Sequence, residues 1–188
     1  MVNDDIDLIA DDIYDLQCSA IKTDQYSRRE NLVITGIPDS ITNQVKLQQN
    51  VLDILHKIGL KDVTPYQITA CHRLKKKKEN FPAPTIVRFT NRKIVEVCLK
   101  NKDRLNNKKL LKLNLRFFEN LCYENERIVN KCTYLVAKKQ IFDYKTNNGM
   151  ISIIATEGAK PKKIHHPDDL YDFEHNRNTV NNIIESLE

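Results

Sequence analysis

The chain has 188 residues, 40% of them apolar and 29% charged, which suits a packed core and excludes a highly charged disordered polymer. No apolar run approaches the ~20 residues of a membrane span, and "MVNDDIDLIADD" lacks the basic start and apolar centre of a signal peptide, so an intracellular protein is expected. The net charge of +5 conceals an asymmetry: residues 1–15 hold six Asp and no Lys or Arg, which leaves all 30 basic residues against 19 acidic ones in the rest. An acidic head on a basic body favours polyanions as partners.

The head reads as a helix with a seam. Ile6, Ile9, Ile13, Leu16, Ala20 and Thr23 recur at alternating steps of three and four, the a/d spacing of a coiled coil. Self-association through Ile6, Ile9, Ile13, Leu16 and Ala20 is expected, as a dimer or a trimer. The competing reading is a single amphipathic helix packed on the body. "RRENLVITGIPDS" follows, with an apolar, β-branched strand from Leu32 to Ile37 closed by Gly36, Pro38 and Asp39. Val45, Leu47, Val51, Leu52, Leu55 and Ile58 then fall at helical spacing, with Ser40 or Thr42 as N-cap. Gly59 stands at the left-handed C-terminal position, and Leu60 is placed to fold back as the apolar contact.

"YQITACHRL" and "PTIVRFT" read as two strands joined by a lysine loop. "NRKIVEVCLKNKDRL" reads as a helix burying Ile94, Val97 and Cys98. In "KLLKLNLRF", Leu111, Leu113 and Leu115 alternate with polar residues, as in a strand with one buried face. Strand, helix, strand, strand, helix, strand is the order of a ferredoxin-like sandwich, the architecture of RNA-recognition motifs (RRMs).

Past Phe118 a second, small α+β unit begins. "YENERIVNKCTYLVAKKQ" is a helix burying Ile128, Cys132, Leu135 and Val136. "IFDYKTNNGMISIIA" is a hairpin turning at Asn148-Gly149. "EGAKPKKIHHPDDLYDF" returns to a short helix with Pro167 in its first turn, and Val180, Ile183, Ile184 and Leu187 fit one face of a tail helix. The expected divisions are 1–28 for the N-terminal helix, 29–118 for the RRM-like domain, 119–174 for the C-terminal domain and 175–188 for the tail.

Catalytic chemistry finds little material. There is no phosphate-cradling GxxxxGK[ST] loop and no GxGxxG turn. Cys18, Cys71, Cys98, Cys122 and Cys132 form no CxxC pair and read as reduced, buried thiols. Cys71 and His72 are adjacent in a strand, so they face opposite sides and cannot form a nucleophile–base pair. His165, His166 and His175 raise a metal as an alternative, but adjacent histidines diverge, and Asp168-Asp169 more simply charge a helix N-terminus. The expectation is a non-enzyme with no catalytic residues, no cofactor and no metal.

The motifs taken in order carry a resemblance. "DQYSRRENLVITGIP", "ACHRL", a basic loop, "PAPTIVRFTNRK" and "ENLCYENERIVNKCTYLVAKKQ…NNGMISI…DDL" resemble the baculovirus FP (few-polyhedra) protein family over roughly residues 20–173. The same succession is similar to the first open-reading-frame protein of LINE-type retrotransposons. Both families place a coiled coil before an RRM-like domain and a small C-terminal domain. The LINE proteins are trimeric nucleic-acid chaperones that coat RNA with little sequence preference. The FP proteins are viral accessory proteins that influence occlusion-body formation, budded-virus production and trafficking of virion envelope proteins. Neither family is known for catalysis. The short coil favours the FP side, and the resemblance implies the cytoplasm of an infected host cell, with the nucleus and virion as further locations and viral envelope or structural proteins as further partners. Two departures stand out. The C-terminal hairpin has no Trp, Lys145 falling near its place, and Cys122 stands where Ser or Thr commonly caps the following helix.

RRMs stack bases on aromatics of their two central strands. The three stacking positions fall here at Val33, Pro84 and Ile86, none aromatic, and Phe89 fits the signature's last aromatic position, which serves packing. Binding of single-stranded nucleic acid, RNA by preference of the resemblance, would then be electrostatic and tolerant of sequence. The resemblance to the LINE proteins assigns it to Arg28, Arg29, Arg73, Lys75, Lys76, Lys77, Lys78 and Arg88, expected to gather at one end of the domain. The lysine run also reads as a nuclear address or a solvated loop, and Arg28 and Arg88 could pair with acids inside the fold. Lys160, Lys162 and Lys163 form a second basic cluster. The alternatives to an FP-type protein are a retrotransposon-type RNA chaperone and a protein–protein adaptor indifferent to nucleic acid.

Overall fold

The computed structural model of the chain describes residues 2–76, 79–106 and 114–175, with the side chains of the first helix described from residue 6. It is a mixed α+β protein with a long N-terminal helix and two antiparallel sheets. The chain divides into two compact units: residues 28–120, and residues 1–27 together with the segment from 121 onward. The N-terminal helix therefore packs as part of the C-terminal unit, where the sequence suggested a separate segment. Among the described residues no helix is long and apolar enough to cross a membrane.

In the unit of residues 28–120, β1 (Asn31–Thr35) leads to α2 (Gln44–Lys57), then β2 (Ile68–Arg73), β3 (Thr85–Phe89), α3 (Arg92–Lys100) and β4 (Arg116–Glu119). The strands lie in the order β2-β3-β1-β4, all neighbours antiparallel. One face of the sheet buries Leu32, Ile34, Val87, Phe89 and Phe117 against Leu47, Val51, Leu55 and Cys98 of the two helices. Strand alternation sends the intervening residues to the other face. A bulge between Ile68 and Ala70 shifts the β2 register, which puts the buried residues Ile68 and Cys71 three positions apart.

The ends of α2 are sequence-encoded. The N-cap is Asn43, whose side chain accepts from the amides of Val45 and Lys46 at 2.9 and 3.1 Å, and not the expected Ser40 or Thr42. Gly59, at φ +99°, donates to His56 and Leu60 donates to Leu55, the paired bonds that satisfy the last carbonyls of a helix. In α3 the buried residues are Val95 and Cys98, with Ile94 packed at the margin. Val97, expected inside, is 39% exposed because Val95 takes the inward position. The part of the expected strand around Leu111 and Leu113 lies outside the described residues, which resume at Asn114; that residue, expected within the strand, is a turn residue at φ 49°, and the strand starts at Arg116. Beyond Asn114 the alternation holds, Leu115 and Phe117 being buried.

In the other unit, α1 (Val2–Arg28) accompanies α4 (Tyr123–Ala137), β5 (Asp143–Asn147), β6 (Met150–Ile154) and β7 (Lys162–Ile164), then a 3-10 turn from Pro167 to Leu170. Asn148 and Gly149, at φ 53° and 74°, make the tight turn between β5 and β6. Ile151, Ile153 and Ile164 of the sheet pack on Ile128, Cys132 and Leu135 of α4. Strand β7 was not expected: it is three residues long with one buried side chain, too short for alternation to be read. The tail helix proposed around Val180–Leu187 lies outside the described residues.

Helix α1 docks through a face that the seam did not predict. Cys18, Ile21 and Gln25 are buried, and the Tyr14 hydroxyl donates to Asp169 Oδ1 at 2.6 Å. Burial opposes the charge on Asp169, yet bonds from Tyr14 and from the amides of His165 and His166 outweigh it and hold the carboxyl below its usual range. Gln25 Oε1 accepts from the Cys122 amide at 2.9 Å and from Asn125 Nδ2 at 3.0 Å, and Asn125 Nδ2 also reaches the Gly149 carbonyl at 2.9 Å. Ile6, Ile9, Ile13 and Leu16 of the seam are 50–71% exposed, and Ala20 is exposed with them.

Substituting Gln25→Ala leaves the buried Cys122 amide and Asn125 amide short of an acceptor, and should destabilise this unit by about 2 kcal/mol. Chemical denaturation, with amide exchange at Cys122 as the local probe, checks it. Unchanged stability and protection would remove Gln25 from this role.

Candidate functional site

The sheet of residues 28–120 leaves one face uncovered by its own helices. Register places His72, Ile86, Val33 and Phe118 in a single row across all four strands of that face. Val33 and Ile86 are partly exposed and His72 is exposed, while Phe118 is 45% exposed. Pro84 stands just before β3, its carbonyl accepting from Leu74 at 2.7 Å. Phe89 is fully buried, a packing residue as its position in the signature implied. The open face thus carries an aromatic ring after all, on β4 and not at the positions read from the signature. The signal was present in "LRFFE": extending the alternation of Leu115 through Phe117 sends Phe118 to the opposite face.

The cationic candidates do not gather at one end. Strand β3 runs away from the lysine loop, and Arg88 lies three residues beyond Thr85, about 10 Å along the strand. Arg88 pairs across the sheet with Asn31 and Ala70, and its guanidinium meets Glu30 Oε2 at 3.3 Å. Arg28 and Arg29 immediately precede β1 and so belong to this same edge. At the other edge stand Arg73, Lys75 and Lys76, together with Arg116, which the sequence reading did not single out. Arg116 lies opposite Thr35, is exposed and shares the open face with Phe118. Two cationic rims therefore bracket the apolar row. Lys77 and Lys78 lie outside the described residues.

Arg73 has a different office from its neighbours. Its Nη1 donates to the carbonyls of Ile37 and Ala83 at 2.8 and 2.9 Å, and Nη2 to that of Pro38 at 2.5 Å. Asp39 completes the knot by accepting from the Ala83 amide at 2.8 Å and from Lys76 Nζ at 3.1 Å. The Ala83 bond and then the Lys76 bond hold the exposed Asp39 carboxyl below its usual range. These bonds tie both ends of the lysine loop to the segment after β1. Arg73 is consumed in this tie, so its sequence-based assignment as a phosphate contact gives way to that of an anchor. Lys75 is exposed.

Burial pushes Cys71 and Cys132 up to about 11 and Cys98 up to about 12, keeping them protonated at neutral pH. Cys71 is buried while His72 faces outward, as strand alternation requires. His166 Nδ1 accepts from the Asp168 amide at 3.3 Å, and the His175 ring stacks on Tyr171 with centroids 3.9 Å apart.

No family model matches the chain, and a search of curated proteins finds no match.

Replacing Arg73 with Ala removes three charge-assisted bonds to carbonyls and should cost about 2–3 kcal/mol. Lys at this position should not restore it, because a single ammonium cannot span the three oxygens as the guanidinium fork does. Denaturation midpoints and the rate of tryptic cleavage after Lys75 and Lys76 check both variants. Equal midpoints and equal cleavage would show the knot to be incidental.

Proposed function

We propose that the chain is a self-associating, FP-type protein that binds single-stranded nucleic acid with little sequence preference. The observation that carries this reading is the row His72–Ile86–Val33–Phe118 on an open sheet face, with exposed cations at both of its edges. A strand order of β2-β3-β1-β4, threaded strand–helix–strand–strand–helix–strand, supports an RRM-like arrangement for residues 28–120. Cations at the rims suit phosphates, which carry no sequence information, and the exposed Phe118 and His72 rings suit stacking of any base. Specific readout would need more convergent polar groups than this face offers.

Self-association is read from α1. Its docked residues Tyr14, Cys18, Ile21 and Gln25 and its exposed residues Ile6, Ile9, Ile13, Leu16 and Ala20 lie on different sides of one helix, at 100° per residue. A second copy is the natural occupant of an a/d seam left open while a different side of the helix is engaged. Dimer and trimer both fit three heptads. On the resemblance to FP proteins, its roles would be in occlusion-body formation, budded-virus production and virion protein trafficking in an infected cell.

Binding to single-stranded RNA should be present at low salt and fall steeply as salt rises. Ala at Lys75, Lys76, Lys77 and Lys78 should flatten the plot of log affinity against log salt by up to about 2.8, at about 0.7 per lost phosphate contact. Phe118→Ala should instead weaken binding about 5- to 150-fold with the slope unchanged, since a stacked ring releases no counterions. Absence of binding at 50 mM salt would sink this reading and leave the face to a protein partner.

Asp at both Ile13 and Leu16 should convert the assembly to monomer in sedimentation without unfolding it, both side chains being exposed. A wild-type chain that sediments as a monomer at micromolar concentration ends the claim of self-association.

A further inference from the structure

The C-terminal unit carries an apolar groove left open among the described residues. Helix α4 ends in a left-handed turn at Lys139, φ 58°. There the Lys139 amide donates to Val136 and the Gln140 amide to Leu135, the paired bonds that close a helix. The turn sends the chain straight into Ile141 and Phe142, and the Phe142 amide bonds the carbonyls of Ile154 and Ala155 at the end of β6. Past Ala155 the chain turns again, the Ala159 amide donating to Thr156. Between these two turns lies a groove of about 360 Å³, lined by Val136, Ile141, Phe142 and Ala155 and by the charged Lys139 and Glu157. Phe142 is 51% exposed, so this groove leaves much of an aromatic side chain in water.

The last described residues come to the same corner. Phe173 packs on the core of this unit, Gln140 Nε2 donates to the Glu174 carbonyl at 3.3 Å, and Lys131 Nζ meets Glu174 Oε2 at 3.1 Å. Gln140 stands between Lys139 and Ile141, which both line the groove, so residues 176–188 continue from its margin. Their sequence, "NRNTVNNIIESLE", sets Val180, Ile183, Ile184 and Leu187 at the i, i+3, i+4, i+7 spacing of one helix face.

We propose that the groove is a docking site for the chain's own tail, which enters it through Val180, Ile183, Ile184 and Leu187. The inference does not draw on the nucleic-acid reading above. Reach is sufficient in either backbone form: from Glu174 to Val180 the chain spans about 9 Å as helix and about 20 Å extended. Charge does not select the occupant, because the groove has one charge of each sign and the tail carries Arg177 against Glu185 and Glu188. Apolar burial does, since four aliphatic side chains can cover Phe142 and the wall formed by Val136 and Ala155. Attachment selects the chain's own copy. A segment tethered at the groove's margin meets it at an effective concentration on the order of millimolar, which an untethered segment of the same composition lacks.

The test is paramagnetic broadening in the full chain, with a thiol-reactive spin label attached through Ser186→Cys. The five native cysteines are buried and leave that thiol as the reactive one. The amide signals of Lys139, Phe142 and Thr156 should be lost or strongly weakened. That of Asn148, at the hairpin turn about 20 Å along the strands from Phe142, should keep its intensity. Equal intensity loss at Phe142 and Asn148 refutes the docking. Adding Ile183→Asp and Ile184→Asp to the labelled chain should restore the groove signals; loss that persists in that variant would show a contact not made by the apolar face and overturn the inference. In a mixture with the label and the observed nuclei on different chains, the groove signals should stay intact. Loss there equal to the single-chain sample would make a second copy the occupant, which also overturns it.

Discussion

The C-terminal unit depends on a single buried carbonyl oxygen. Gln25 Oε1 accepts from the Cys122 amide and from Asn125 Nδ2, and the same Asn125 nitrogen reaches the Gly149 carbonyl at the hairpin turn. Cys122 is the N-cap of helix α4, and its thiol makes no capping bond. In a capping box the residue three positions into the helix would accept from the N-cap amide. Asn125 occupies that position but donates instead, and the acceptor comes from α1, almost a hundred residues earlier. A Cβ on Gly149 would collide with the Gln25 side chain, so the glycine serves the turn's positive φ and the helix's approach together. A helix start, a hairpin turn and the docking of α1 thus share one polar node, and a node of this kind is costly to break because its donors are already desolvated.

Residues 28–120 follow a comparable logic with charge. Arg73 and Asp39 hold the loop after β2 to the segment after β1, and that leaves nearby cations such as Lys75 and Arg116 on the surface. Lysines in a loop are ordinarily dispersed by their own repulsion and solvation. Here the loop's ends are held by hydrogen bonds from Arg73 to three carbonyls, so the exposed Lys75 follows a fixed base. Holding the base of a loop reduces the ordering cost of binding through it.

Much of this architecture could be read from the residues, and the failures have physical causes. Gly59 with Leu60, the Asn148-Gly149 turn and the inward faces of α2 and β1 were legible because each is set by local chemistry or a clear period. The docked face of α1 was not. Tyr14, Cys18, Ile21 and Gln25 include one strongly apolar residue, whereas the exposed Ile6–Ile9–Ile13–Leu16 line is the more hydrophobic pattern. Hydrophobic periodicity finds the greasier stripe, and in this helix the buried stripe is held by polar bonds. The candidate site was legible in composition and misread in placement. Arg88 and the lysine loop are close in sequence, but an antiparallel strand carries them to opposite edges. Phe118 was hidden by a strand whose preceding leucines drew the alternation to themselves.

The exposed seam and the polar docking face together bear on how weak sites could become effective. A helix held to its own C-terminal unit by hydrogen bonds can offer its apolar line to another copy without releasing that unit. On the proposed reading, each added copy would bring one sheet face with cationic rims to the same strand. Contacts of this kind are individually weak, and salt screens them within about 10 Å. Tethering turns the second and third contacts into intramolecular events, whose effective concentration is set by the tether and not by the bulk. Sequence-tolerant surfaces benefit most, because any register along the strand satisfies them. The seam would then set the affinity of the assembly for long strands, although none of its residues need touch nucleic acid.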